Sequence, residues 1–216
     1  VHNVAQTEPP MKSQLTRTPG IVYLSGKDLL IHDDRWYAEV EVATQGSEHL
    51  LNKTRKELEP AARQGLVTIA FDTTQGDRLV GCIVLWELAP DHAGRMWYEL
   101  GTFLVVPDHR FKARGPKAMP IADELTVRLL DEHADRMIMC TTTNPGAGHT
   151  FIRDGMRAVS FHALPAAIHR ETCICPIAKT GTVNNLFCRI KNGPCHAFVS
   201  HNTWERMGCP PVIHLA

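Results

Sequence analysis

The sequence predicts an α/β or α+β protein built on one sheet with mixed strand pairing, and three observations carry that prediction. Apolar, β-branched runs follow one another at 66–72, 79–88 and 96–107, the first two joined by the polar turn Thr-Thr-Gln-Gly-Asp-Arg. After Pro107 a stretch of helical periodicity runs to about His133, with Ala118, Ala122, Leu125, Leu129 and Leu130 on one face. The buried-looking run at 136–143, Arg-Met-Ile-Met-Cys-Thr-Thr-Thr, then returns the chain to a sheet.

The remaining elements are read in chain order. Residues 1–20 are polar and contain prolines, and are expected to form a loose arm. Residues 21–216 are expected to form a single domain, with a cysteine-rich extension over 165–216. Gly-Ile-Val-Tyr-Leu-Ser-Gly at 20–26 reads as a short strand. The alternating 36–44 reads as another strand, or a strand leading into a helix. Ser47 is a candidate N-cap for a helix to Leu58, which places Lys53 on a helix remote from any site. Pro60 suits the first turn of a second short helix ending at Gly65. A short helix is expected over about 146–154, a strand over 157–164, and a last strand near 196–201.

Composition excludes several classes. Of 216 residues, 44% are hydrophobic and 21% charged, and 23 Lys plus Arg balance 23 Asp plus Glu. No global field recruits nucleic acid or a membrane surface. The longest apolar stretches, such as Val80–Trp86, fall far short of the roughly 20 residues of a membrane span. The N-terminal stretch lacks a basic-then-apolar signal pattern, so a soluble, cytoplasmic protein is expected.

Seven cysteines are unevenly placed. Cys82 and Cys140 sit in apolar runs and read as core residues. Cys173, Cys175, Cys188, Cys195 and Cys209 fall in the last quarter, near His169 and His196. Their spacing matches no strong zinc pattern, so unligated cysteines and no metal are expected. The segment could instead shape a pocket, with Trp204-Glu205-Arg206 closing it.

Two motifs carry chemistry. Val105, Val106 and Pro107 close a strand, and Arg110, Phe111, Lys112, Ala113, Arg114 and Gly115 follow, then Pro116 and Lys117. Downstream, Asn144, Ala147, Phe151, Gly155 and Met156 hold a fixed spacing. From Glu99 to Met156 the chain resembles the GNAT superfamily of acyl-coenzyme A N-acyltransferases. The first motif resembles its Arg/Gln-x-x-Gly-x-Gly/Ala loop, and the second its Asn-x-x-Ala-x-x-x-Tyr-x-x-x-Gly-Phe helix. The resemblance implies a mixed, mostly antiparallel central sheet flanked by helices. It also implies acetyl-coenzyme A as co-substrate and an amine acceptor of a small molecule or peptide. No nucleic acid, membrane or metal is implied, and a homodimer is left open.

The physical sense of such a loop is direct. Amides at a helix N-terminus, with the helix dipole and an Arg or Lys, bind a pyrophosphate. Here Ala113 replaces the first glycine and Pro116 lacks an N–H. Two registers are open: the preferred one starts the helix at Pro116, the other puts Arg114 and Gly115 at the head of the motif and starts it at Pro120. The resemblance also implies that an amide among Leu104, Val105 and Val106 polarises the thioester carbonyl. It implies that the strand before the Asn144 helix is splayed from its neighbour. Gly146 and Gly148 would then give the coenzyme room, although a plain Pro-Gly turn accounts for Pro145-Gly146 equally well.

Amide formation needs a proton acceptor for the amine and a donor for the thiolate. Glu99 is the candidate base, a carboxylate on an interior strand, read as sharing the parity of Val105. Phe151 stands where the family's acid is tyrosine and cannot donate a proton. His149 is the candidate acid by type alone. Two other functions stay open. An acyl-homoserine-lactone or N-acyl amino acid synthase would match a Glu-x-x-Arg-Phe stretch, but Thr102 stands at the Arg position. A non-catalytic coenzyme A-binding module would be consistent with Phe151.

Overall fold

The computed structural model describes residues 20–45, 50–107, 120–142, 144–172, 188–190 and 193–214. The expected arm over 1–19 lies outside them. Ile21–Ser25 forms β1, Val67–Asp72 β2, Arg78–Pro90 β3, Met96–Val105 β4, Met137–Thr142 β5, Arg157–Val159 β6, Cys188–Ile190 β7 and Gly193–Val199 β8. The sheet order is β1-β2-β3-β4-β5-β8-β6, with β7 paired to β8. Every neighbouring pair is antiparallel except β4 with β5. The expected mixed, mostly antiparallel sheet flanked by helices is therefore present. Every residue of β2 is buried, as its unbroken apolar run requires.

The helices are Gly26–Leu30 (α1), Arg35–Gln45 (α2), Arg55–Arg63 (α3), Ile121–Glu132 (α4), Pro145–Arg153 (α5), Ala166–Thr172 (α6) and His201–Arg206 (α7). Four expectations are corrected. Residues 36–44 are helical, not a strand. Trp36, Tyr37, Val40 and Thr44 are buried while Val42 is 70% exposed, which is one face of a 3.6-residue period rather than an alternation.

The helix expected from Ser47 starts only at Arg55, and Pro60 lies inside it rather than opening a second one. The Glu57 carboxylate accepts from both the amide and the hydroxyl of Thr54, each at 2.9 Å, which fixes the later start. Pro60 removes the donor for the Lys56 carbonyl on an exposed turn where water can serve.

The third correction concerns α4. Pro120 is its N-cap, so no helix runs through from Pro116. A proline ring disfavours the helical conformation of the residue before it. Leu125 and Leu129 are buried as expected, joined by Ile121 and Thr126. Fourth, the strand at 157–164 stops at Val159. Ser160 accepts from the His162 amide and turns the chain into a 3-10 turn at Phe161–Ala163. Helices α1, α6 and α7 are not foreseen from the sequence. Cys82 and Cys140 are buried, and Cys209 is exposed. Among the described residues no helix is long and apolar enough to cross a membrane.

Candidate active site

Strands β4 and β5 pair at three positions: Trp97 with Met137, Tyr98 with Ile138 and Glu99 with Met139. Beyond Glu99 each strand keeps its outer neighbour. β4 stays with β3 to Val105, and β5 stays with β8 to Thr142. The inner edges of β4 and β5 therefore part at Glu99 and leave a fork.

A bulge helps to part them. The β3–β4 register passes from Val84 opposite Gly101 to Cys82 opposite Leu104, so Thr102 and Phe103 together face Ile83. Thr102 takes φ 49°, a left-handed conformation that is costly for a β-branched residue. Its hydroxyl accepts from the Trp86 indole N–H at 3.1 Å.

The bulge overturns one expectation. Cross-strand partners share a face, so Glu99 opposite Trp86 lies on the side of Gly101 and Leu104, not of Val105. The extra residue inverts the parity that a regular strand would have kept. A second expectation fails for Val106, whose amide donates to the Val80 carbonyl at 2.9 Å and cannot polarise a thioester. The side chains of Leu104 and Val105 are buried.

Glu99 is the chemical centre of the fork. Burial pushes its carboxyl up to about 7, against the lowering effects of a Thr141 hydrogen bond and the Lys53 charge. The Thr141 hydroxyl donates to its Oε1 at 3.3 Å from β5. Lys53 is not on a helix and not remote. It lies in the connection between α2 and α3, its amide donating to Thr44 Oγ1 at 3.0 Å. Its ammonium sits 4.3 Å from the centre of the Trp86 ring.

The second motif is placed as a helix start. The Asn144 side chain accepts from the amides of Gly146 at 2.9 Å and Ala147 at 3.4 Å, capping α5. Such a cap contributes about 1 kcal/mol. A Cβ on Gly146 would come within 3.3 Å of that same Asn144 oxygen, a tight contact with the cap. Gly148 is buried and Ala147 half-buried. Phe151 is buried between Phe103, with ring centres 5.1 Å apart, and Phe198 at 5.7 Å. It is a core residue. His149 is exposed, and no contact among the described residues links it to Glu99.

Arg110, Phe111, Lys112, Ala113, Arg114, Gly115, Pro116 and Lys117, the expected pyrophosphate loop, lie outside the described residues, as do Cys173 and Cys175. Cys188 and Cys195 belong to β7 and β8. Among the described residues no group of three or more His, Cys, Asp or Glu side chains could hold a metal. Trp204, Glu205 and Arg206 do not close the fork. The Arg206 guanidinium donates to the Asp135 carbonyl and its own carbonyl accepts from Arg95, at the opposite ends of β4 and β5.

The sequence reading found Glu99 but missed Lys53, Trp86, Gly101, Thr102 and Thr141. Their common signal is proximity across strands, which exists only once the register is set.

No family model matches the sequence, and no curated protein is significantly similar to it. Solved structures are similar in fold. A chain of the NatC complex bound to a Gag peptide and CoA is 17% identical at a TM-score of 0.55, over 83% of this chain and 97% of that one. Rv2747 from Mycobacterium tuberculosis in complex with CoA is 16% identical at a TM-score of 0.54, over 82% and 98%. Arabidopsis thaliana NAA60 in complex with a bisubstrate analogue is 12% identical at a TM-score of 0.50, over 83% and 96%.

Proposed function

The chain has the fold of the GNAT superfamily that its motif spacing resembles, and on that premise we propose that it is an N-acyltransferase moving an acetyl or other acyl group from a coenzyme A thioester to a primary amine. The observation that carries this reading is the fork itself. Two parallel strands part at a half-buried glutamate whose carboxyl desolvation shifts to about 7. A base working near neutral pH needs such a shift.

The residues divide the chemistry as follows. The pantetheine arm lies between the diverging edges of β4 and β5, its pyrophosphate on the basic segment 110–117. A β4 amide beside the bulge donates to the thioester oxygen as negative charge develops there. Glu99 takes the proton of the attacking amine, directly or through one water, with Thr141 orienting the carboxylate. The new C–N bond forms as the C–S bond breaks, and the thiolate is reprotonated from water, since Phe151 has no proton to give.

Thermal shift with acetyl-coenzyme A, followed by free-thiol release across a panel of amines, tests the reading. Stabilisation together with amine-dependent thiol release is the expected result. Stabilisation without release from any amine would instead make the chain a coenzyme A-binding module. No binding at millimolar ligand would remove the reading altogether. Within that assay, charge reversal at Arg110 is expected to weaken coenzyme binding more than reversal at Arg63, an exposed residue at the end of α3.

A further inference from the structure

Lys53 occupies a constructed place. Trp86 packs over position 101 because that residue is glycine: a Cβ there would stand 2.8 Å from Trp86 Cδ1 and 3.1 Å from its Nε1. The indole is then pinned by its hydrogen bond to Thr102 on the bulge. A face of the ring receives an ammonium, that of Lys53, 4.3 Å from the ring centre. The Lys53 side chain is only 16% exposed, although Glu57, its ion-pair partner at 3.5 Å, is 45% exposed. The glutamate at the fork stands directly across the strand pair from Trp86.

An aromatic face beside a half-buried carboxylate is a receptor for a cation. Cation–π attraction contributes about 0.5–2 kcal/mol, more as the site is desolvated. A surface Lys–Glu pair needs neither a left-handed threonine nor a glycine cleared for an indole. These features also lie on the Glu99 side of the sheet, where the proposed acceptor must bring its nitrogen.

We infer that Lys53 is a tethered occupant of the acceptor site, its ammonium holding the Trp86 face that an incoming primary ammonium on an unbranched stem must take. The inference rests on the acyltransferase reading for the word acceptor, but the binding event needs no acyl transfer. It sets the substrate class as a cationic, lysine-like amine head. Lys53 is a specificity-determining residue that admits only ligands able to displace it.

Titration with n-butylammonium, with n-butanol as the uncharged control, tests this. In the intact wild-type protein the Lys53 side-chain methylene protons, lying over an indole, are expected to resonate upfield of ordinary lysine. They should move to ordinary values as n-butylammonium saturates the site, and should not move with n-butanol. In Lys53→Met, n-butylammonium is expected to bind about 5-fold more tightly than in wild type, the equivalent of about 1 kcal/mol. Lys53→Arg should bind it as wild type does. Lys53 resonances unmoved by n-butylammonium, or an equal gain for n-butanol in Lys53→Met, would overturn the inference. Displacement seen without thiol release in any acyl-transfer assay would sustain the cation site and overturn the acyltransferase reading alone.

Discussion

Two carboxylates on the β3–β4 hairpin, eight residues apart, are treated in opposite ways. Asp91 sits at the closed end. Its oxygens accept from the Ala93 amide at 2.9 Å, the Arg95 amide at 3.0 Å, the Arg95 guanidinium at 2.8 Å and the Trp97 indole at 3.1 Å. Burial alone would raise its carboxyl, but the Trp97, Arg95 and Ala93 donors outweigh it and hold it down at about 2. Glu99 sits where β4 leaves β5. It has one long hydrogen bond, from Thr141, and burial pushes it up to about 7. The same residue chemistry therefore ties a turn in one place and supplies a proton acceptor in the other. The difference lies in the number of donors, and it separates a structural acid from a chemical one.

The largest expected effect falls on Glu99. Glu99→Gln keeps the shape but not the base, and turnover should drop about 100-fold or more, with the acid limb of the rate profile near pH 7 abolished and coenzyme affinity little changed. Unchanged turnover and pH profile would assign the chemistry to orientation of an already neutral amine. The same variant has a stability signature. The folded carboxyl titrates above its ordinary value of 4.5, so its stabilising contribution is complete below that value and is lost as pH rises through about 7. The melting temperature of Glu99→Gln should therefore gain on wild type between those two pH values. A constant difference would show that Glu99 is not desolvated.

Asp91 should behave in the reverse sense. Asp91→Ala strands the Trp97 and Arg95 donors and is expected to cost about 3 kcal/mol in denaturant unfolding, while the folded fraction keeps its turnover. Because its carboxyl is held low, its stabilising contribution is present above 3.8 and is lost as pH falls through about 2. A stability loss that did not shrink in acid would remove the charge from the explanation.

A smaller effect sharpens the geometry around Glu99. Gly101→Ala places a methyl against the Trp86 indole and is expected to destabilise by about 2 kcal/mol. It should also raise KM for the amine more than it lowers kcat. An effect on kcat alone would detach Trp86 from acceptor binding. The smallest effect is expected at His149, which is exposed. His149→Ala should change turnover by no more than about twofold, the scale of a surface substitution of 0.5 kcal/mol. A loss near 100-fold would instead make His149 the missing acid.

Much of this was legible in the residues. The three central strands, the short helix after Asn144 and the suspicion attached to Glu99 follow from local pattern and chemical type. The errors have local causes too. Val40, Val42 and Thr44 satisfy both a strand alternation and part of a helical stripe, and only burial of Trp36 and Tyr37 beside Val40 selects the helix. Ser47 resembles a cap that would put Lys53 on a remote helix, whereas the Thr54–Glu57 contacts start that helix after it.

The sequence by itself determined which segments are apolar enough to be strands, and that one acidic residue stands alone between Asp91 and Asp108. These are properties of a residue and its near neighbours. The tertiary structure decided which face Glu99 shares, what stands opposite it, and how many donors reach it. A single inserted residue at Thr102–Phe103 inverts side-chain parity along β4, and pairing with β3 and β5 brings Trp86 and Thr141 to Glu99 from elsewhere in the chain. Desolvation and hydrogen bonding act through space, so the pKa of that carboxyl is fixed by strand register and not by any stretch of sequence around it.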